Sequence, residues 1–131
     1  MSWEATLRVR ISEKDVHYAG GLVAGAKVME LFGDVATELL IRFDGDEGLL
    51  AAYEKVEFKQ PVHAGDYLEV RGKITSVGNT SRRMELEAWK VIKCLDPEAS
   101  GSAAEVLDPP VLVARAEAVC VVPKEKQRYK H

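Results

Sequence analysis

The chain has 131 residues, of which 47% are hydrophobic and 30% charged, with a formal net charge of −3. That length suits one folding unit over residues 1–131 with a real core, and the composition excludes a disordered chain. The acidic balance argues against a generally basic nucleic-acid surface, and no run of 18 apolar residues exists for a membrane span. Met1-Ser2-Trp3-Glu4 lacks the basic and apolar regions of a signal peptide, so a cytoplasmic protein is expected. Two cysteines, Cys94 and Cys120, are too few for a disulfide framework and read as buried small hydrophobes. His17, His63 and His131 show no metal-ligand spacing, and no metal is expected.

Thr6 to Ile11 alternates polar and apolar residues, the period of a half-buried strand. Ser12 to Gly21 is polar and glycine-rich, hence a loop. From about Leu22 to Phe43, Val28, Phe32, Val35, Leu39 and Phe43 recur at steps of three and four, which predicts one long amphipathic helix. Gly45 offers a left-handed cap at its end. The period then changes to two. Tyr53–Phe58, Tyr67–Val77 and Arg82 to about Cys94 read as strands, with turns at Pro61–Asp66 and Gly78–Thr80. Asp96 to Pro110, rich in Pro, Gly, Ser and Ala, reads as a long loop before a last strand, Val111–Val122.

One helix between a first strand and four more predicts an α+β architecture, with the helix on one face of an antiparallel sheet of about five strands. A single long helix on such a sheet describes the hot-dog fold. The far face of the sheet would need cover, so a homodimer at minimum is expected.

Lys27, Glu30, Asp34, Thr37, Glu38 and Arg42 share one narrow helical stripe. It reads either as a solvated face with Lys27–Glu30 and Glu38–Arg42 ion pairs, or as carboxylates that a partner desolvates into an acid and a base. Ahead of the helix, His17, Tyr18, Gly20, Gly21 and Gly25 form an entrance where backbone N–H groups are accessible to a ligand. His17 and Tyr18 fit equally a packed loop pair. The turn Gly78-Asn79-Thr80-Ser81-Arg82-Arg83 is either a phosphate-binding hairpin or an ordinary charged turn. The last eight residues carry Lys124, Lys126, Arg128 and Lys130 against Glu125, a basic end on an acidic body. Trp3 and Trp89 read as core or interface anchors.

Several segments in order carry a family resemblance: Ser12–Tyr18, Gly33-Asp34-Val35-Ala36-Thr37-Glu38-Leu39, Pro61-Val62-His63-Ala64-Gly65-Asp66, Val77–Ser81, Glu87–Val91 and Val122–Arg128. Together they resemble the small hot-dog ammonia-lyases that act on β-amino acyl-CoA thioesters, over nearly the whole chain. The Pro-Val-x-x-Gly-Asp and Val-Gly-x-x-Ser elements are shared with many hot-dog thioesterases, whereas the His-Tyr and Gly-Asp-Val-x-Thr-Glu elements are more specific. Gly21 and His63 depart from the pattern, which has Asn and Tyr there.

The resemblance implies reversible elimination of ammonia from a 3-aminoacyl-CoA, 3-aminobutyryl-CoA to crotonyl-CoA or the β-alanyl equivalent, with no cofactor beyond the CoA of the substrate. Asp34 and Glu38 would divide the roles of base and ammonium holder, with His17 or Tyr18 lining the pocket or relaying protons. Gly25 and Ala26 at the helix entrance would polarise the thioester carbonyl. Ser81, Arg82, Arg83, Lys124, Lys126 and Arg128 would meet CoA phosphates. An acyl-CoA thioesterase and a non-catalytic acyl-CoA-binding module are the competing readings.

Overall fold

The computed structural model describes residues 4–95 and 101–131. Five strands, β1 (Glu4–Arg10), β2 (Leu49–Phe58), β3 (Tyr67–Val77), β4 (Ser81–Cys94) and β5 (Ala104–Val121), accompany one helix, α1 (Gly25–Asp44). The strands form one sheet in the order β1-β3-β4-β5-β2, and every neighbouring pair is antiparallel. Strand β2 therefore lies at one edge and β1 at the other.

Alternation along the strands gives the sheet one apolar face. Leu68 and Val70 of β3, Met84, Leu86 and Ala88 of β4, and Ala116, Ala118 and Cys120 of β5 all point to it and are buried. The helix lays Val28, Leu31, Phe32, Val35, Leu39 and Leu40 on that face. Each fully buried Leu or Phe contributes roughly 1.5–3 kcal/mol of transfer free energy, so this helix–sheet contact is the core.

Three boundaries differ from the sequence expectation by three residues or more. The helix starts at Gly25 rather than Leu22, because the backbone of Leu22 and Val23 is already engaged in bridges to His63 and Val16. Strand β2 begins at Leu49, ahead of the alternating stretch. Strand β5 begins at Ala104, so the second half of the predicted loop pairs with β4 through Ala104–Cys94, Glu105–Lys93 and Val106–Ile92. The ladder slips between Val106 and Val111, where Pro109 and Pro110 lack the N–H a regular pairing needs. Part of that predicted loop, residues 96–100, lies outside the described residues, as does Trp3.

The far face of the sheet needs no apolar cover. It carries cross-strand pairs between Arg8 and Glu69, Lys73 and Glu85, Lys55 and Glu117, and Arg83 and Glu54. Such pairs add little stability, but they make the face compatible with water. Trp89 sits there, half-buried, with the Arg71 guanidinium 5.4 Å from its ring centroid. Cys94 is exposed at the end of β4, against the expectation of burial, while Cys120 is buried.

The last residue of the helix, Asp44, is fully buried and meets the guanidinium of Arg82, itself 1% exposed. Arg82 donates from Nε at 2.8 Å and from Nη2 at 2.9 Å to the two carboxylate oxygens. Its Nη1 donates to the carbonyls of Gly78 and Ser81. His131 Nε2 lies 3.0 Å from Asp44 Oδ1, and its ring stacks on Phe43. Arg82 thus anchors the helix end with four of its five N–H donors engaged, and at 1% exposure it is closed off from a CoA phosphate. That corrects its expected role.

Two outcomes follow from this buried pair. Replacing Arg82 by Met leaves the buried carboxylate with His131 alone beside it and should cost about 3–5 kcal/mol in urea unfolding. Burial pushes the Asp44 carboxyl up, but the bonds from Arg82 and His131 outweigh it and hold the group below its ordinary value of 3.8. A depressed folded-state pKa gives stability that is present above the unfolded value and lost as pH falls through the folded one. Unfolding free energy should therefore drop as pH falls below 3.8, and an Asp44→Asn variant should lack that component of the slope.

Candidate active site

The entrance to α1 is built by a loop folded back on itself. Val16 bridges to Val23, and the N–H groups of His17 and Tyr18 both donate to the Leu22 carbonyl at 3.0 Å. The turn Pro61–Asp66 holds this loop from the other side. Val23 N–H donates to Val62 O at 2.8 Å, and Ala64 N–H donates to Gly21 O at 3.1 Å. Within the loop, Gly20 and Gly21 both have φ +76°. Asn is the non-glycine residue that best tolerates this conformation, and a Cβ at Gly21 would meet nothing within 4 Å. Gly21 in place of the Asn expected from the resemblance therefore keeps the backbone path and removes only a side chain.

The first helical residues lack a side-chain cap. Ala24, the N-cap, offers no side-chain hydrogen bond, and the first turn contains no acidic residue. Gly25 and Ala26 N–H groups have no intrahelical acceptor by position, and the helix dipole places partial positive charge there. Lys27 N–H is turned inward to the Ala24 carbonyl at 3.0 Å. Gly25 lines a cleft of about 490 Å³, together with Tyr18, Leu22, Val28, Phe58 and Val62. Cavities of this size and mostly apolar lining suit a small acyl group. A Cβ on Gly25 would come within 2.8 Å of the Phe58 ring, so that ring packs directly over the donor end of the helix.

Tyr18 and Gly25 thus share one concavity, with His17 beside them. The His17 and Tyr18 rings meet edge-on, with centroids 4.7 Å apart, and both are exposed. The carboxylates lie elsewhere. Asp34 and Glu38 are nine and thirteen residues along the helix from Gly25, about 13 and 19 Å at 1.5 Å per residue. Glu38 accepts from Arg42 Nε at 2.8 Å, and Glu30 lies 3.5 Å from Lys27 Nζ, the two ion pairs of the solvated-face reading. Asp34 is exposed and has no ion pair among the described residues. It lies on the side of α1 towards the edge strand: the half-buried Tyr53 donates its hydroxyl to Met29 O at 2.7 Å. Burial first, and then Cys120 and Asp34, push that phenol up to about 12, so Tyr53 stays a neutral donor. One chain therefore does not bring the entrance and the carboxylates together.

The basic residues also part company. Arg82 is buried, as described. Arg83 is exposed and forks onto Glu54 of β2, with Nη1 at 2.9 Å. Ser81 closes the hairpin turn through its carbonyl, which accepts from Gly78 N–H at 2.8 Å. Arg128 is tied to the helix end, its Nη1 donating to Gly45 O at 3.2 Å and its N–H to Asp44 O at 2.9 Å. Lys124 and Lys126 are exposed on a short 3-10 turn, beside Gln127, whose amide donates to Asn79 O. The basic end and the β3–β4 turn thus form one neighbourhood at the C-terminal end of α1.

Sequence reasoning missed Phe58 and the buried pair Lys90–Asp66. A signal for Lys90 existed: it shares inward parity with Met84, Leu86 and Ala88, where a charge must find a buried partner. Phe58 carried none, because nothing in the sequence relates it to Gly25.

Comparison with known proteins supports the same assignment. Residues 20–92 match the model of the thioesterase superfamily. The chain is 58% identical over 125 residues to a 3-aminobutyryl-CoA ammonia lyase of Acetoanaerobium sticklandii, covering 95% of this chain and 98% of that one. A solved structure of β-alanyl-CoA:ammonia lyase from Clostridium propionicum is 39% identical, with a TM-score of 0.93 over 98% of this chain and 90% of that one. A hexameric hotdog-fold thioesterase of Campylobacter jejuni is 19% identical, with a TM-score of 0.74 over 94% and 86% of the two chains, a likeness of fold. The chain belongs to the hot-dog thioesterase superfamily and, within it, to the family of the CoA-thioester ammonia lyases.

Proposed function

We propose that this protein is an ammonia lyase that interconverts 3-aminobutyryl-CoA with crotonyl-CoA and ammonia. The observation that carries the reading is the 58% identity to a protein of that name over almost the entire length of both chains. The geometry supports it by leaving the donor end of α1 uncapped and open to an acyl-sized cleft.

The chemistry assigns three tasks. Gly25 and Ala26 N–H groups receive the thioester oxygen and stabilise the negative charge that builds on it as the Cα proton leaves. A carboxylate, Asp34 or Glu38, takes that proton, and the other faces the β-ammonium. As the C–N bond breaks, its electron pair departs with ammonia and the Cα carbanion pair becomes the new double bond. His17 or Tyr18 lines the pocket or relays the proton released. The residues themselves supply every group these steps need, without a cofactor beyond the CoA of the substrate. A CoA-thioester substrate supports a cytoplasmic enzyme. Ser81, Arg83, Lys124, Lys126 and Arg128 remain to meet the CoA phosphates.

Distance requires a second protomer. Within one chain the carboxylates sit about two turns or more from the donors, too far to reach one acyl group. Strand β2 is an uncovered edge whose Leu49, Leu50 and Phe58 are exposed. Pairing two such edges about a two-fold axis joins the sheets and places the carboxylate stripe of one protomer near the entrance of the other. The homodimer is therefore the minimal catalytic unit.

Mixing crotonyl-CoA with ammonium and the enzyme should remove enoyl absorbance without releasing free thiol. Thiol release would instead make the protein a thioesterase, and no change in either would make it a binding module. Asp34→Asn and Glu38→Gln should each lower kcat about a hundredfold or more, the usual yield of a positioned acid or base. Near-normal turnover in both would return the stripe to a solvated face.

A further inference from the structure

Lys90 is a charged residue on the core-facing side of β4, only 8% exposed. Its Nζ donates to the Pro61 carbonyl at 2.7 Å and lies 3.0 Å from Asp66 Oδ2. Asp66 is 1% exposed, and the same oxygen accepts His63 N–H at 2.8 Å. The backbone of Asp66 is tied as well, its N–H to His63 O and its carbonyl to Ile11 N–H. One ammonium group thus grips both ends of the turn Pro61–Asp66.

That turn in turn holds the helix entrance. Val62 O accepts Val23 N–H, Ala64 N–H donates to Gly21 O, and Leu22 bridges to His63. Leu22 O then gathers the N–H groups of His17 and Tyr18. A second tether, the Lys27–Asp15 pair at 3.6 Å, is longer. A buried ion pair is a poor way to gain stability, because an apolar residue such as Met fills similar volume without desolvating a charge. What a pair of this kind supplies is direction: it fixes where Pro61 O and Asp66 sit to within hydrogen-bond tolerance.

We propose that Lys90, acting through Asp66 and the Pro61 carbonyl, is a positioning residue that holds the entrance loop where it presents Gly25, Ala26, His17 and Tyr18 to the thioester. What the loop does when positioned rests on the lyase reading. How it is held rests on the hydrogen bonds alone. Misplacing donors that act mainly in the transition state lowers kcat more than it raises KM.

The test uses the double variant Lys90→Met/Asp66→Asn, which leaves no unpaired buried charge and keeps an acceptor for His63 N–H. Hydrogen exchange by mass spectrometry should show residues 16–24 exchanging about tenfold faster, with the middle of α1 unchanged. In ammonia addition to crotonyl-CoA, kcat per folded molecule should fall about tenfold or more, with KM shifted less than about threefold. Lys73→Met, which removes an exposed pair with Glu85, should change neither readout. If the double variant does not fold, Lys90→Gln/Asp66→Asn, which is also free of buried charge and keeps an amide donor on the β4 side, should show the same pattern at smaller amplitude. Unchanged exchange over residues 16–24 overturns the proposal, as does unchanged kcat beside faster exchange. A wild type that adds no ammonia contradicts the lyase reading instead, while exchange still decides whether Lys90 holds the loop.

Discussion

The structure depends on holding one helix in register across one sheet. Apolar burial presses α1 onto the sheet but does not say where along it the helix stops, because one Leu or Val contact resembles another. Two buried charges on the same face of β4 supply the missing specification. Arg82 grips Asp44 at the C-terminal end of α1, and Lys90 grips the turn beneath its N-terminal entrance. Eight residues of strand span about 26 Å, close to the roughly 30 Å length of a twenty-residue helix. Strand β4 therefore acts as a ruler for the helix, fixing both its ends with directional bonds.

This arrangement explains where the site lies and why it is incomplete. The helix entrance is a defined donor end, uncapped and free of acidic residues in its first turn. The carboxylates point from the middle of the helix to its exposed side, on the flank towards β2. A chain this small has one core and no second layer to close over them. In the proposed reaction, catalytic completion falls to a second copy at the β2 edge. The charged outer face of the sheet needs no such partner.

The fold was largely legible in the sequence because it is written in period. Steps of three and four mark α1, and alternation marks the strands. The entrance loop, the helix cap at Gly45 and the grouping of Tyr18 with Gly25 also followed from residue type. What stayed hidden was pairing in three dimensions. Arg82 read as a phosphate ligand because a turn arginine and a core arginine look alike until Asp44 is found opposite it. The start of β5 was masked by prolines that the ladder accommodates as an irregularity. The helix start shifted because Leu22 and Val23 spend their backbone bonds on distant partners. Lys90 was readable as a charge at inward parity, but its partner Asp66 lies in a turn that the strand pattern does not reach.

The central claim is that entrance and carboxylates of different protomers form one site, and subunit complementation tests it most directly. An Asp34→Asn/Glu38→Gln protein and a His17→Ala/Tyr18→Phe protein, each inactive alone, are mixed and allowed to exchange subunits. Random pairing makes half the dimers mixed, each with one intact site of two, so the account predicts recovery of about a quarter of wild-type activity. A mixture no more active than its components, with exchange verified by mass, would contradict it.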